Sequence, residues 1–264
     1  MVTLVAATTV DPASIGLGLP FWPCPGMLSF ANEEVRLLKL ENHLAREDHL
    51  DKRWEGATGE SVDGAIFLSR HVAASNRPAL TIHPIGPPHL REDEVLLAGG
   101  RPGWAGPPKA LEQHCRVTLE ATHHGPEISS PAMFIEIGST EEYWERQDAA
   151  QAIALLVWEG LGLGGGNSVG DWSRKDDRPK VLLGIGGGHY VPRHMDIVRL
   201  QSKGVAGMWR KVINIAFETS RLAFPGGEVL AHLDLESFKT WRRKAVTEFL
   251  ESEEIKIGKP GDFY

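Results

Sequence analysis

Cysteine is nearly absent from this chain: only two occur in 264 residues. Cys24 and Cys115 have no CxxC spacing, which excludes a disulfide framework and a cysteine-rich zinc site and fits a reducing compartment. Long apolar runs are also missing. No segment reaches the about 18 residues that a membrane span requires, and the N-terminus lacks a basic segment followed by an apolar one. Excess positive charge is lacking too, since the net charge is -7, so the protein does not grip nucleic acid over its whole surface. A local basic patch stays compatible with that total, because phosphate contacts depend on where Lys and Arg cluster.

Two common site motifs are absent as well. There is no HExxH. Gly160-Leu161-Gly162-Leu163-Gly164-Gly165 satisfies GxGxxG, but a helix precedes it and a polar loop follows, whereas the dinucleotide fingerprint needs a strand before and a helix after. It reads as a helix C-terminus with flexible glycines.

The chain is rich in histidine, with eleven, and its strands break at them. Val2 to Thr9 is a β-branched, apolar strand. Gly16 to Pro25 is a loop, and Glu33 to Leu50 reads as a strand followed by a polar turn. Ala65 to Leu68 runs into Ser69-Arg70-His71, and Ala79 to Ile82 into His83-Pro84. Gly86 to Pro108 is a long exposed loop. Arg116 to Thr122 alternates as a half-buried strand and delivers His123-His124. Met133 to Ile137 leads to Ser139 and Glu142, a capping box opening a long helix to about Gly160. Val181 to Leu183 feeds Gly184-Ile185-Gly186-Gly187-Gly188-His189-Tyr190. A helix is expected from about Ala206 to Ala223, a strand from Val229 to Leu233, a helix capped by Ser237 to about Glu251, and a short strand at Ile255 to Ile257. Strands separated by helices predict an α/β protein of one domain over residues 1–264, with a mixed sheet covered by helices on both faces.

In open α/β sheets, ligands bind beyond the carboxyl ends of the strands. His71, His83, His123, His124 and His189 are therefore expected to converge on one crevice, where neutral imidazoles ligate metal or transfer protons. Such a site suits metal-assisted hydrolysis. Adjacent His123 and His124 on an extended strand would face opposite sides and so take different roles. Glu120 and Glu136 sit in strands, where a charge must be paired or useful. Glu136 is the stronger functional candidate, as base or supporting partner, with a salt bridge to an arginine as the plain alternative. On the last helix, Lys239, Arg242, Arg243 and Lys244 flank Trp241, which reads either as a solvated face or as a phosphate contact.

Four ordered motifs carry a resemblance. Ser69-Arg70-His71 with Pro78 to Thr81 and His83 comes first, then Glu120 to Pro126, then Phe134 to Ser139 with Trp144, then Gly184 to Tyr190 with Pro192. Together they resemble the D-aminoacyl-tRNA deacylases of archaeal and plant type, and the ending Gly258-Lys259-Pro260 with Asp262-Phe263 resembles the plant branch. The resemblance implies a phosphorylase/hydrolase-like fold and a zinc-associated esterase. Its reaction frees a D-amino acid from the 3′ end of tRNA, and in the plant branch from aldehyde-modified D-aminoacyl-tRNA as well.

On that basis His83, His123 and His189 are expected to hold zinc, and His124, Glu136 and His71 to act in catalysis. Gly186, Gly187, Gly188, Tyr190 and Thr122 are expected to contact substrate. A monomeric cytoplasmic protein is expected, with nuclear presence left open. The stretch Val198 to Gly207 is short against a histidine-bearing segment of the relatives, so a catalytically impaired tRNA-binding form is one alternative. A small-substrate hydrolase or phosphorylase is the other.

Overall fold

In the computed structural model, the residues described are 1–10, 29–31, 35–87, 90–94, 99–108, 118–163, 180–188, 190–200, 205–208 and 213–263. The loop Gly16 to Pro25, the glycines at 164 and 165, and His189 lie outside them.

The α/β class with a mixed sheet and helices on both faces is observed, and its strands are divided between two sheets. The larger has the order β2-β3-β1-β4-β7-β5-β6, built from β1 (Val2–Thr8), β2 (Ser29–Ala31), β3 (Val35–Leu40), β4 (Val62–Arg70), β5 (Ala79–Pro84), β6 (Thr118–Leu119) and β7 (Ala132–Gly138). Strands β3, β1, β4 and β7 are parallel, while β2 runs antiparallel to β3 and β5 antiparallel to β7. The smaller sheet, β10-β8-β9, is wholly parallel, from β8 (Lys180–Ile185), β9 (Val205–Met208) and β10 (Glu228–Leu233).

Central strands buried on both faces need apolar residues throughout, and every residue of β1 and β7 is buried. Alternation then sorts the side chains. Val5, Ile66, Leu68, Ile135 and Ile137 face helix α3 (Gln147–Gly160), which offers Ala150, Ile153, Leu156 and Val157. Leu4, Ala6, Phe67 and Phe134 point the other way, toward Leu50 of helix α1 (Leu50–Thr58). In the small sheet, Val181, Leu183 and Ile185 meet helices α5 (Ile213–Ala223) and α6 (Thr240–Ser252), while Leu182 meets Ile197 of helix α4 (Pro192–Leu200) and Phe263. Helix α4 also reaches the large sheet, because Met195 packs in its core beside Leu119. Among the described residues, no helix is long and apolar enough to cross a membrane.

Several local expectations give way to tertiary contacts. Ser139 does not cap a helix; its hydroxyl donates to the Arg77 carbonyl at 2.8 Å, and the short helix α2 (Glu141–Trp144) follows Thr140 before α3 begins. Ser237 likewise donates to the Asp234 carbonyl at 2.7 Å, and α6 starts behind Lys239. Residues assigned to the start of a helix at Ala206 pair instead with β8 as β9. The strand expected to reach Thr122 ends at Leu119, and the one at Ile255 to Ile257 reduces to a single bridge between Ala231 and Ile257. Within the segment read as strand and polar turn, Glu33 to Leu50, the strand is Val35–Leu40, a 3-10 turn follows at Leu44–Arg46, and helix α1 begins at the last residue, Leu50.

Candidate active site

Strand register builds the site. β7 pairs Glu136 with Ser69 on β4 and with Thr81 on β5, and Phe134 with His83. His83 and Glu136 therefore stand diagonally on one face of the sheet, where side chains of neighbouring strands touch. His83 Nε2 is 3.7 Å from Glu136 Oε2. The Phe134 ring stacks under His83, with centroids 5.1 Å apart, and meets the edge of His124 at 4.8 Å.

His71 follows β4 and turns onto the same face. Its backbone N–H donates to the Ile137 carbonyl, and its own carbonyl accepts from Trp144 Nε1 at 3.0 Å. Gly138 is required here, because a Cβ at that position would lie 2.7 Å from the His71 ring.

The chain after β6 is irregular but stitched to β5 and its extension. Glu120 N–H donates to the Ile82 carbonyl, Gly86 N–H to the His124 carbonyl, and the Thr122 hydroxyl to the Gly86 carbonyl at 2.9 Å. Thr122 is thus buried in backbone support. Because residues 120–124 are not extended strand, the rule of opposite faces does not apply, and His123 and His124 lie together with ring centroids 4.4 Å apart. Their separation into different roles on that rule is corrected. The crevice beyond the strand ends is corrected too: β5 runs antiparallel, so its carboxyl end lies away from those of β4 and β7, and the imidazoles gather over the sheet face instead.

Two groups result. Ligand atoms of His83, His123 and His124 lie within 4.8 Å of one another, as do those of His71, Glu120 and Glu136. Backbone carbonyls fix two tautomers: His83 Nδ1 donates to the Pro84 carbonyl at 2.8 Å and His123 Nδ1 to that of Ala121 at 3.0 Å, so that in its neutral form each imidazole presents the lone pair of Nε2. Glu136 lies 3.7 Å from His71, His83 and His124 alike, and His71 Nδ1 is 3.2 Å from Glu120 Oε1. On its other side, His71 Nε2 is 2.9 Å from the Tyr190 hydroxyl.

The electrostatics follow from burial. Glu120 and Glu136 are 2% and 0% exposed, so two carboxylates share a site that excludes water and calls for a compensating cation. Burial opposes ionisation of Glu136, but His71 and His83 outweigh it and hold its pKa below the usual carboxylate range. Burial likewise opposes protonation of His83, and Glu136 reverses this to raise its pKa. Burial and then the charge of His83 push His123 down to about 4 and His124 well below its ordinary value, so both are neutral at pH 7.

The glycine loop after β8 serves the site indirectly. Gly186 has φ +88°, and a Cβ there would strike Ser237 and Phe238 at about 2.4 Å and 2.5 Å, so its place is set by packing. Gly187 lies near Asp234, and Gly188 faces open space. Tyr190 carries the loop onto His71, and the zinc ligand expected at His189 falls outside the described residues. Sequence reasoning left Glu120 out of the catalytic group, although a charged residue in a strand, three positions before the His123-His124 pair, marked it. It also missed a second histidine pair, His194 with His232, whose Nδ1 atoms are 3.0 Å apart. The pair lies on α4 and β10, too far apart in sequence for any local pattern to join them.

The family model for D-aminoacyl-tRNA deacylase matches residues 58–258. A D-aminoacyl-tRNA deacylase of Arabidopsis thaliana is 50% identical over an aligned length of 316, covering 100% of both chains; that length exceeds the 264 residues here, so the relative carries insertions this chain lacks. The D-aminoacyl-tRNA deacylase of Aeropyrum pernix is 30% identical over 96% of this chain and 98% of that protein, and that of Pyrococcus furiosus is 33% identical over 64% and 61%. A crystal structure of a conserved protein of unknown function shares the fold, with a TM-score of 0.73 at 23% identity, covering 99% of this chain and 96% of that one.

Proposed function

This chain belongs to the D-aminoacyl-tRNA deacylase family, and from that premise we propose that the histidine and glutamate cluster over β5 and β7 is where it acts. The reaction is hydrolysis: water adds to the ester carbonyl of D-aminoacyl-tRNA, the bond to the terminal ribose breaks, and free D-amino acid and tRNA leave. The observation that carries the placement is the convergence of three histidine ligand atoms within 4.8 Å beside two buried carboxylates.

The residues fit zinc. His83 Nε2, His124 Nδ1 and both Glu136 oxygens are buried without a hydrogen-bond partner among the described residues. The ligand atoms of His83, His123 and His124 lie within 4.8 Å of one another, near enough to close on one tetrahedral zinc, whose ligands stand roughly 3.4 Å apart. His83, His123 and His124 would hold the ion, which when bound polarises the carbonyl and lowers the pKa of water to about 7.

The remaining roles belong to the chain. His124, with 27% of its side chain exposed, and His123, partly exposed, form the open side by which the ester enters, while His71, His83, Glu120 and Glu136 are closed off. Glu136, held ionised, accepts the proton of the attacking water. His71, gripped by Glu120 and Tyr190, keeps Glu136 in place. The cytosol, where aminoacyl-tRNA circulates, is the compartment that suits this work.

The test compares D-Tyr-tRNA with L-Tyr-tRNA, with and without a chelator, while metal per chain is counted. The D ester should be cleaved and the L ester spared, activity should fall with metal content, and zinc should restore it. Equal rates on both esters would overturn the deacylase reading, and full activity in metal-free protein would overturn the zinc assignment.

A further inference from the structure

The chain is acidic overall, yet the beginning of α6 is not. Lys239, Arg242, Arg243 and Lys244 fall within six positions, and no acidic side chain follows until Glu248. Lys239, Trp241, Arg242 and Lys244 are exposed and Arg243 is half-buried. Lys244 lies 3.7 Å from Glu248, and Arg243 Nε donates to the Phe238 carbonyl, whereas no ion pair ties Lys239 or Arg242 to an acid among the described residues. The Arg242 guanidinium sits 5.1 Å over the indole of Trp241, itself 60% exposed, so the ring holds this cation out along the surface. The helix dipole adds positive potential at the same end.

Position gives this surface its meaning. Ser237 and Phe238, directly before the helix, pack against Gly186, and four residues along from that glycine Tyr190 touches His71. The basic turn therefore stands behind the loop that borders the candidate site. A substrate ester in that site has a polyanion attached, and the polyanion must leave across neighbouring surface. We propose that the first two turns of α6 dock the phosphate backbone of the tRNA acceptor arm, with Lys239 and Arg242 as the principal contacts. The inference rests on the reading of the cluster as the deacylase site, and charge complementarity selects the partner.

Binding of uncharged tRNA, followed by fluorescence anisotropy over a range of salt, tests it in the full chain. The double variant Lys239→Glu with Arg242→Glu should raise Kd at least tenfold and lower the slope of log Kd against log salt by about 2, one for each lost phosphate contact. With D-Tyr-tRNA, KM should rise in step while kcat stays within twofold. Lys52→Glu with Arg221→Glu, on α1 and α5, makes the same change in net charge and should leave Kd within twofold. Wild-type affinity in the α6 variant, or equal weakening by the control pair, would overturn the docking surface. Should tRNA binding depend on α6 while no D ester is cleaved, the deacylase reading fails and the surface stands.

Discussion

Mild acid should destabilise this protein through His194. The residue is 1% exposed on α4, with Nε2 3.2 Å from the Gly186 carbonyl and Nδ1 3.0 Å from His232 Nδ1. A carbonyl only accepts, so Nε2 carries the hydrogen, and Nδ1 must accept from His232. A proton added to His194 Nδ1 would set two N–H groups face to face. Burial first, and the neighbouring His232 second, lower its pKa from 6.5 to about 4. A histidine whose pKa is lower folded than unfolded favours folding above the unfolded value, and that contribution disappears as pH falls from about 6.5 toward 4. At about 1.4 kcal/mol per unit the whole shift corresponds to about 3 kcal/mol, of which about 2 kcal/mol is lost by pH 5. Urea unfolding at pH 7.5, 6.5, 5.5 and 5.0 measures it in the wild type and in His194→Gln. Both proteins contain His123, which titrates in the same range, so only the difference between them reports His194. The variant's stability should fall about 2 kcal/mol less over that interval. Parallel curves would refute the argument, since they would mean that His194 is protonated as easily in the folded chain as in the unfolded one.

The strands that the sequence announces most clearly are those buried on both faces, because β-branched and apolar runs such as Val2 to Thr8 leave few alternatives. What the sequence conceals is pairing. Val205 to Met208 is a strand only because Leu182 to Ile185 lies alongside, a partner about twenty residues away whose register no local pattern records. Capping fails for the same reason. Ser139 and Ser237 have the right residue type, but each finds a nearer carbonyl, on Arg77 and Asp234.

In the site, residue type was legible and placement was not. Histidines at strand ends marked His71, His83, His123 and His124, and all four meet. They meet on the sheet face because β5 is antiparallel to β7, and strand direction cannot be read from composition. Glu136 is isolated in the sequence within an apolar strand, a position that is costly without a purpose, and that cost was its signal. Thr122 carried no such signal, and its hydroxyl is spent on the Gly86 carbonyl. Nor could spacing show that Gly186 is small for the sake of Ser237 and Phe238, half a hundred residues on.

Two substitutions separate support from chemistry. Asp51 is fully buried and accepts from the N–H groups of Ser129 and Ser130 at 3.0 and 2.8 Å and from the Ser130 hydroxyl at 3.0 Å, tying α1 to the segment before β7. Asp51→Asn should cost about 2 kcal/mol in urea unfolding, through a weakened charge-assisted acceptor, with kcat on D-Tyr-tRNA retained; an unchanged midpoint would contradict it. Tyr190→Phe removes only the hydroxyl that meets His71 Nε2 at 2.9 Å, and keeps the ring that borders it edge-on. His71 then keeps Glu120 and Glu136 on its Nδ1 side but loses the hydroxyl at Nε2, so its ring is less firmly oriented and holds Glu136 less well in line with the attacking water. A hydrogen bond of this kind contributes about 1.4 kcal/mol, which is about tenfold in rate. The loss should appear in kcat with KM within twofold, because Tyr190 acts through His71 and not through grip on the RNA. A rise in KM alone would make Tyr190 a substrate contact, and full activity would show that the Tyr190 hydroxyl is not needed for His71 to position Glu136.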